Sequence, residues 1–345
     1  MASAAPTVPA PAPKPPPGLY RASLTRDSVR TWPLSDRIAY LLCWGVGIGL
    51  CLIAVAIVVF FAVEGLSYLS VHLLFTHENA SPNQSSSGGI LDPLEGTLIL
   101  TAVAILIAAP LGVAVGVWLS EYARPAWLAR LVESAVDMIA GTPDILLALF
   151  ALVIFARPAF AFLSSRSENG AVVGKSFLTA GITLSLIAMP MIVGSTREAL
   201  ALLPNHLREA SHALGKTRAR TVRKVLLPLV RPDYARGATL GMGRIMADTA
   251  IVIYVLGATE RLFSAGGPFP LSVLRGEGTT LTSYVYQNSP AGEGFAPQKA
   301  YAAAFVLLAF VVALNLLALF IGNRGERDRR SVWRAIASLG GIRRP

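Results

Sequence analysis

Arg244 and Asp248 stand four positions apart in an otherwise apolar stretch, about residues 237–258. On a continuous helix that spacing puts both on one face. Inside a membrane each charge costs about 2.5–3.5 kcal/mol at a helix centre, which is tolerated where charges pair or line a watery path. Arginine offers a planar fork of donors that fits a tetrahedral oxyanion. Asp248 is an acceptor with two roles open to it: holding Arg244 in place, or accepting a hydrogen bond from a protonated anion. The second role favours phosphate, which carries a proton near neutral pH. Sulfate does not, and would leave the acceptor unpaired against a like charge. Thr249 adds a hydroxyl that serves as a further donor or as packing. The alternative for the pair is a structural ion pair that holds or gates a helix bundle.

A second set of acids, Glu133, Asp137 and Asp144, lies in the apolar segment of about 131–156. Asp137 and Asp144 are two turns apart on a helix. Asp144 follows Gly141-Thr142-Pro143, where proline removes a backbone donor and can break the helix. Carboxylates repel an anion, so pairing with arginine or capping a helix start is expected of them. Their reading is structural or gating.

Other chemistry has no residues to carry it. The histidines at 72, 77, 206 and 212 form no metal-ligand spacing. Cys43 and Cys51 sit about two turns apart in one apolar run, too far to bond. Gly170-Ala171-Val172-Val173-Gly174-Lys175-Ser176 is one residue short of a phosphate-cradling loop and precedes an apolar run rather than following a strand. No catalytic residue, metal site or cofactor is assigned, and any ATP hydrolysis belongs to a separate subunit.

These residues are carried by a membrane-type chain. Of 345 residues 54% are hydrophobic and only 14% charged, with a mean hydropathy of +0.57. A soluble domain carries about 25% charge. The net charge of +10 sits in blocks between apolar runs, as in cytoplasmic loops, and not in a nucleic-acid-binding face. Ile38–Val63, Gly96–Ser120, Ser176–Thr196 and Ala300–Asn323 hold no charged side chain, and each can cross about 30 Å of hydrocarbon as a helix. With the two charged segments, six transmembrane helices are expected in an all-α membrane protein, because a helix satisfies its own backbone in lipid. Pro110, Gly112 and Gly116 suggest a kink and close contact in the second span, and Gly237, Gly241 and Gly243 close packing in the fifth. Residues 1–37 read as a Pro/Ala-rich disordered tail, 38–323 as the membrane domain and 324–345 as a basic tail. In that last tail Trp333, Ile336 and Leu339 form an interfacial stripe. Lys and Arg concentrate before Ile38, in 197–236 and after Asn323. Positive-inside places both termini and the 197–236 loop in the cytoplasm of a multi-pass plasma-membrane protein.

That loop has its own pattern. Asn205 is placed to cap a short helix and Gly215 to stop it. Leu207, Ala210 and Leu214 share a stripe, with Arg208, Glu209 and His212 away from it. The run Glu209-Ala210-Ser211, Gly215 and Val225-Leu226-Leu227-Pro228 resembles the EAA loop of importer-type ABC permeases. Its pattern is E-A-A, three residues, G, nine residues, I-x-L-P; Ser211 and Val225 are the departures. More of the chain, roughly residues 38–323, is similar to the PstA-type permease of phosphate ABC importers. The matching segments include Ala109-Pro110-Leu111-Gly112, Leu119-Ser120-Glu121-Tyr122-Ala123, Asp137 to Pro143, Glu198-Ala199-Leu200, and Arg244-Ile245-Met246-Ala247-Asp248-Thr249-Ala250. In the last, Asp248 stands for a usual glutamate and Ala247 for a usual glycine; Asp144 stands where serine is common.

The resemblance implies a type I importer permease fold with a cytoplasmic coupling helix. It implies an ATPase-coupling role for Arg208, Glu209, Ala210, Ser211 and Gly215, a substrate path at Arg244, Asp248 and Thr249, and gating or structural roles for Asp137, Asp144, Glu198 and Pro228. The partners it implies are a paralogous PstC-type permease, a PstB-type ATPase dimer carrying ATP and Mg, an extracytoplasmic phosphate-binding protein, and membrane lipid. Alternating access between two openings would move the anion. The competing readings are a permease for phosphonate, sulfate or molybdate, and a membrane subunit that signals phosphate status.

Overall fold

The structure, a computed structural model, describes residues 33–78, 88–164, 172–257, 271–290, 292 and 296–340. Most of the expected N-terminal disordered tail, Gly170 and Ala171, much of 259–299, and the side chains of the Trp333, Ile336 and Leu339 stripe lie outside them. Among the described residues there is no β-strand. The helices are α1 (Leu34–Tyr68), α2 (Val71–Phe75), α3 (Leu91–Val117), α4 (Ala126–Gly141), α5 (Asp144–Phe155), α6 (Phe177–Ala201), α7 (Asn205–Ala213), α8 (Arg218–Thr221), α9 (Leu227–Leu229), α10 (Arg231–Ala247), α11 (Leu271–Leu274), α12 (Leu281–Asn288) and α13 (Pro297–Gly340).

The four uncharged runs became four helices long and apolar enough to cross a membrane, within α1, α3, α6 and α13. The two charged segments did not become straight helices. The expected span at 131–156 is the pair α4 and α5, bent by 108° at the break between Gly141 and Asp144; it makes a fifth crossing only if the bent pair is one span. Pro143, with no N–H to give, lies at that break and occupies the N-cap position of α5. The expected span at 237–258 is also in two pieces. Helix α10 ends at Ala247, Asp248 and Thr249 are extended or irregular, and a wide π-type turn follows at Val252–Leu256.

The chain divides into two units, 1–57 and 58–345, with the boundary inside α1. In the first, the described side chains are almost all exposed, and Cys43 and Cys51 are free thiols. In the second, α6 is the most buried of the four long apolar helices, with 61% of its most apolar window covered. It starts at Ser176, whose hydroxyl accepts the Thr179 N–H. Its core joins Leu100, Ala104 and Ala108 of α3 to Leu184, Ala188 and Ile192 of α6, Ala148 of α5 and Ile245 of α10.

Small residues permit the approach. A Cβ on Gly112 or Gly116 would lie 2.8 Å from Ile192 or Thr196 Cβ. Gly237 and Gly241 likewise face Ser195 and Ala188. Gly243 does not take the packing role expected of it, since nothing lies within 4 Å of where its Cβ would be. Helix α3 runs through Pro110 without interruption. Beyond the core, Phe60 and Phe61 of α1 pack on Tyr301 of α13.

Candidate functional site

The segment after α6 builds one end of the candidate site. Pro204 occupies the N-cap position of α7 and Asn205 is its first residue, one place later than Asn205 was expected to serve. Gly215 ends the helix. Its φ of +73° is a conformation glycine adopts without a Cβ penalty. Its N–H donates to the His212 carbonyl and the Lys216 N–H to the Ser211 carbonyl, at 2.9 and 3.1 Å. Those two bonds form a Schellman cap, which satisfies carbonyls the helix leaves open. Ser211 is buried and its hydroxyl is 2.8 Å from that of Thr221, tying α7 to α8. Glu209, Ala210, His212 and Leu214 are exposed, Leu214 to 77%. Pro228 is also exposed, and Glu198 is exposed on α6.

Arg208 faces inward, away from that exposed side where the coupling role had placed it. Its Nε and Nη2 donate to Glu121 Oε1 at 3.0 and 2.7 Å. Nη1 and Nη2 also donate to the Leu203 and Leu200 carbonyls. Glu121 is buried in a π-type turn, Trp118–Tyr122, that continues α3. Arg208 thus pins the start of α7 to the ends of α3 and α6. Both carbonyls lie at or just beyond the C-terminal end of α6, and that of Leu200 also accepts the Leu203 N–H.

The second locus lies where the two charged segments meet. Arg244 does not pair with Asp248 as the four-residue spacing suggested. Its Nη2 donates to both carboxylate oxygens of Asp144, at 2.8 and 2.7 Å. Asp144 is the first residue of α5, so its charge also faces helix amides that favour an anion. Asp248 is fixed differently. Its Oδ1 accepts the Ile251 N–H at 2.8 Å, and its carbonyl accepts from the Thr282 hydroxyl. The helix therefore stops at Asp248, and the shared face assumed for Arg244 and Asp248 does not exist. An aspartate three residues before an N–H it can cap is the local signal that this reading missed. The Asp144 and Asp248 carboxyls still lie within interaction range of each other and of Arg244. Thr249 is half-buried in the break, and its carbonyl accepts the Ile253 N–H. Asp137 is exposed on α4, away from this group, while its neighbour Glu133 pairs with Arg197 at 2.7 Å.

A further acid, Glu277, lies near the N-terminal end of α6, where the Phe177 N–H donates to the Gly276 carbonyl. Burial raises the Glu277 carboxyl above the ordinary glutamate value of 4.5, and the Lys175 ammonium opposes that rise.

The comparisons with known proteins agree with this architecture. The family described as "binding-protein-dependent transport system inner membrane component" matches residues 108–330. The chain belongs to that family. It is a permease subunit of the ABC importer class, a multi-pass membrane protein whose family works with an ATPase and a substrate-binding protein. Its match to the phosphate transport system permease protein PstC of Pasteurella multocida is 32% identical over 225 residues, covering 59% of this chain and 67% of the relative. The phosphate transport system permease protein PstA 1 of Mycobacterium tuberculosis is 30% identical over 246 residues, covering 71% and 73%. A crystal structure of a bacterial alginate ABC transporter superposes with a TM-score of 0.58, covering 84% of this chain and 95% of the other. At 14% identity that likeness speaks for the type I importer permease fold alone.

Proposed function

We propose that this chain forms half of the membrane path of an ATP-driven importer of inorganic phosphate, as the PstA-type subunit. The observation that carries the reading is Arg244. Its guanidinium already holds a planar anion, the Asp144 carboxylate, at a break between helices, with the fixed acceptor Asp248 within range. A phosphate with one or two protons can accept from Arg244 and donate to Asp248. The names of the relatives supply the anion class.

In this reading a paralogous PstC-type permease completes the path. An extracytoplasmic phosphate-binding protein delivers the anion. Two PstB-type ATPase subunits carry ATP and Mg and receive the exposed side of α7. Glu209, Ala210 and Leu214 form the contact, and Ser211 and Gly215 hold its shape. Arg208 passes the motion to α3 through Glu121. Closure of the ATPase pair would shift α7 and switch the path between its two openings. Both termini lie in the cytoplasm.

The test is uptake of labelled phosphate in phosphate-starved cells lacking this chain, then complemented with it, with excess sulfate present. Loss and rescue of ATP-dependent, sulfate-insensitive uptake is expected. Unchanged uptake, in a strain with no redundant importer, would reassign the permease to another oxyanion. In the same assay Glu209→Lys should abolish uptake while the protein still inserts. Normal uptake by that variant would remove Glu209 from coupling.

A further inference from the structure

The two carboxylates around Arg244 are held in different ways, and the difference points to a role for one of them. Asp248 is 6% exposed and tied by a backbone N–H to the segment that it caps. Removing it from that place would undo the turn. Asp144 is held through Arg244 and its position at the start of α5, with the Asp248 carboxyl beside it. Its side chain is 28% exposed and that of Arg244 45%, so the pair is open on one side. If Asp144 leaves the guanidinium, its charge stays favourable at the α5 N-terminus. Only the Arg244 fork loses a partner, and any incoming oxyanion restores it.

We propose that Asp144 is a built-in competitor for the transported oxyanion, occupying the Arg244 fork until that anion displaces it. This rests on the reading of Arg244 as part of an oxyanion path. At the Arg244 fork a monoanion replaces one negative charge with another, while the Asp144 charge stays at the α5 N-terminus. A dianion would add a second negative charge next to the Asp248 carboxylate, which like-charge repulsion penalises. A protonated monoanion also donates to Asp248, which Asp144 in its ionised form cannot. Asp144 therefore sets a threshold for occupancy, and Asp248 a preference for singly charged, protonated oxyanions. Its place at the 108° break means that its release also frees the first turn of α5 from α10.

The competition lowers apparent affinity by the fraction of time that Arg244 is free. The experiment measures equilibrium binding of labelled phosphate, sulfate and molybdate to the assembled, purified complex without binding protein or nucleotide. It compares wild type with Asp144→Ser and Asp144→Asn, the second keeping the size of the side chain should the first fail to assemble. Binding of at least one oxyanion about tenfold tighter in these variants is expected. The double variant with Arg244→Gln should lose the gain. Asp144→Glu, which keeps the competing charge, should stay near wild type. Unchanged or weaker binding of all three anions in an intact complex would overturn the competitor role. Tightening for molybdate or sulfate but not phosphate would leave the competitor role standing and overturn both the choice of phosphate and the preference for singly charged, protonated oxyanions.

Discussion

Two of the arginine–carboxylate pairs that close over long chain separations among the described residues, Arg208–Glu121 and Arg244–Asp144, differ in how they are held. Arg208 and Glu121, 87 residues apart, lie at the end of α3 and the start of α7, with the Glu121 side chain 6% exposed. The guanidinium there has three further acceptors in Leu200, Leu203 and Asn205. Arg244 and Asp144, 100 residues apart, meet half-exposed, and the arginine uses a single nitrogen. A saturated guanidinium, 22% exposed and set on a buried carboxylate, behaves as a joint, because every alternative partner is worse. An open, singly engaged one can exchange its partner. In the proposed function, stiffness belongs where α7 would receive force from an ATPase, and exchange where the anion would pass.

The largest effect is expected of Glu121→Gln. It leaves Arg208 charged in a covered site, and losing one partner of a buried pair costs about 3–5 kcal/mol. Thermal unfolding of the purified complex should register that loss, and ATP hydrolysis that remains should uncouple from uptake. A variant as stable as wild type would mean that the carbonyl acceptors alone hold Arg208.

Arg244→Gln should do the reverse. A half-exposed pair contributes about 0–1 kcal/mol, so stability should hardly change. Phosphate flux should fall by tenfold or more with the complex still assembled. Normal flux would remove Arg244 from the path, and a large fall in stability would make this pair a second joint.

The smallest effect is expected at Glu277, a carboxylate with a lysine nearby in place of an arginine fork. Its folded value lies above 4.5, so the folded state binds the extra proton. The stability it contributes is fully present below about pH 4.5 and is lost as pH rises through the folded value. Glu277→Gln should then be more stable than wild type at neutral pH, with the difference closing in acid. A pH-independent difference would mean that the carboxyl is not the group responsible.

Much of this was legible from residue order. The four uncharged runs overlap the four long apolar helices, because lipid demands a continuous apolar stretch of fixed length. The stop at Gly215 was readable because the left-handed conformation there depends on one residue type. Residue types also announced the candidate site: an arginine and aspartates in apolar stretches have few bland explanations.

What order alone did not settle was continuity and partnership. The four-residue spacing of Arg244 and Asp248 implies a shared face only if the helix continues, and the Asp248 carboxylate ends it by capping Ile251. Asp144 was expected to meet an arginine or open a helix, and it does both, but which arginine follows from the bend at Pro143 and the packing of α5 against its neighbours. Glu121 stood in a recognisable segment with no partner to be read, because its arginine comes from a helix 87 residues later. Local chemistry is written in neighbouring residues. Which charge meets which is decided by packed helices, where burial makes one pairing far cheaper than the rest.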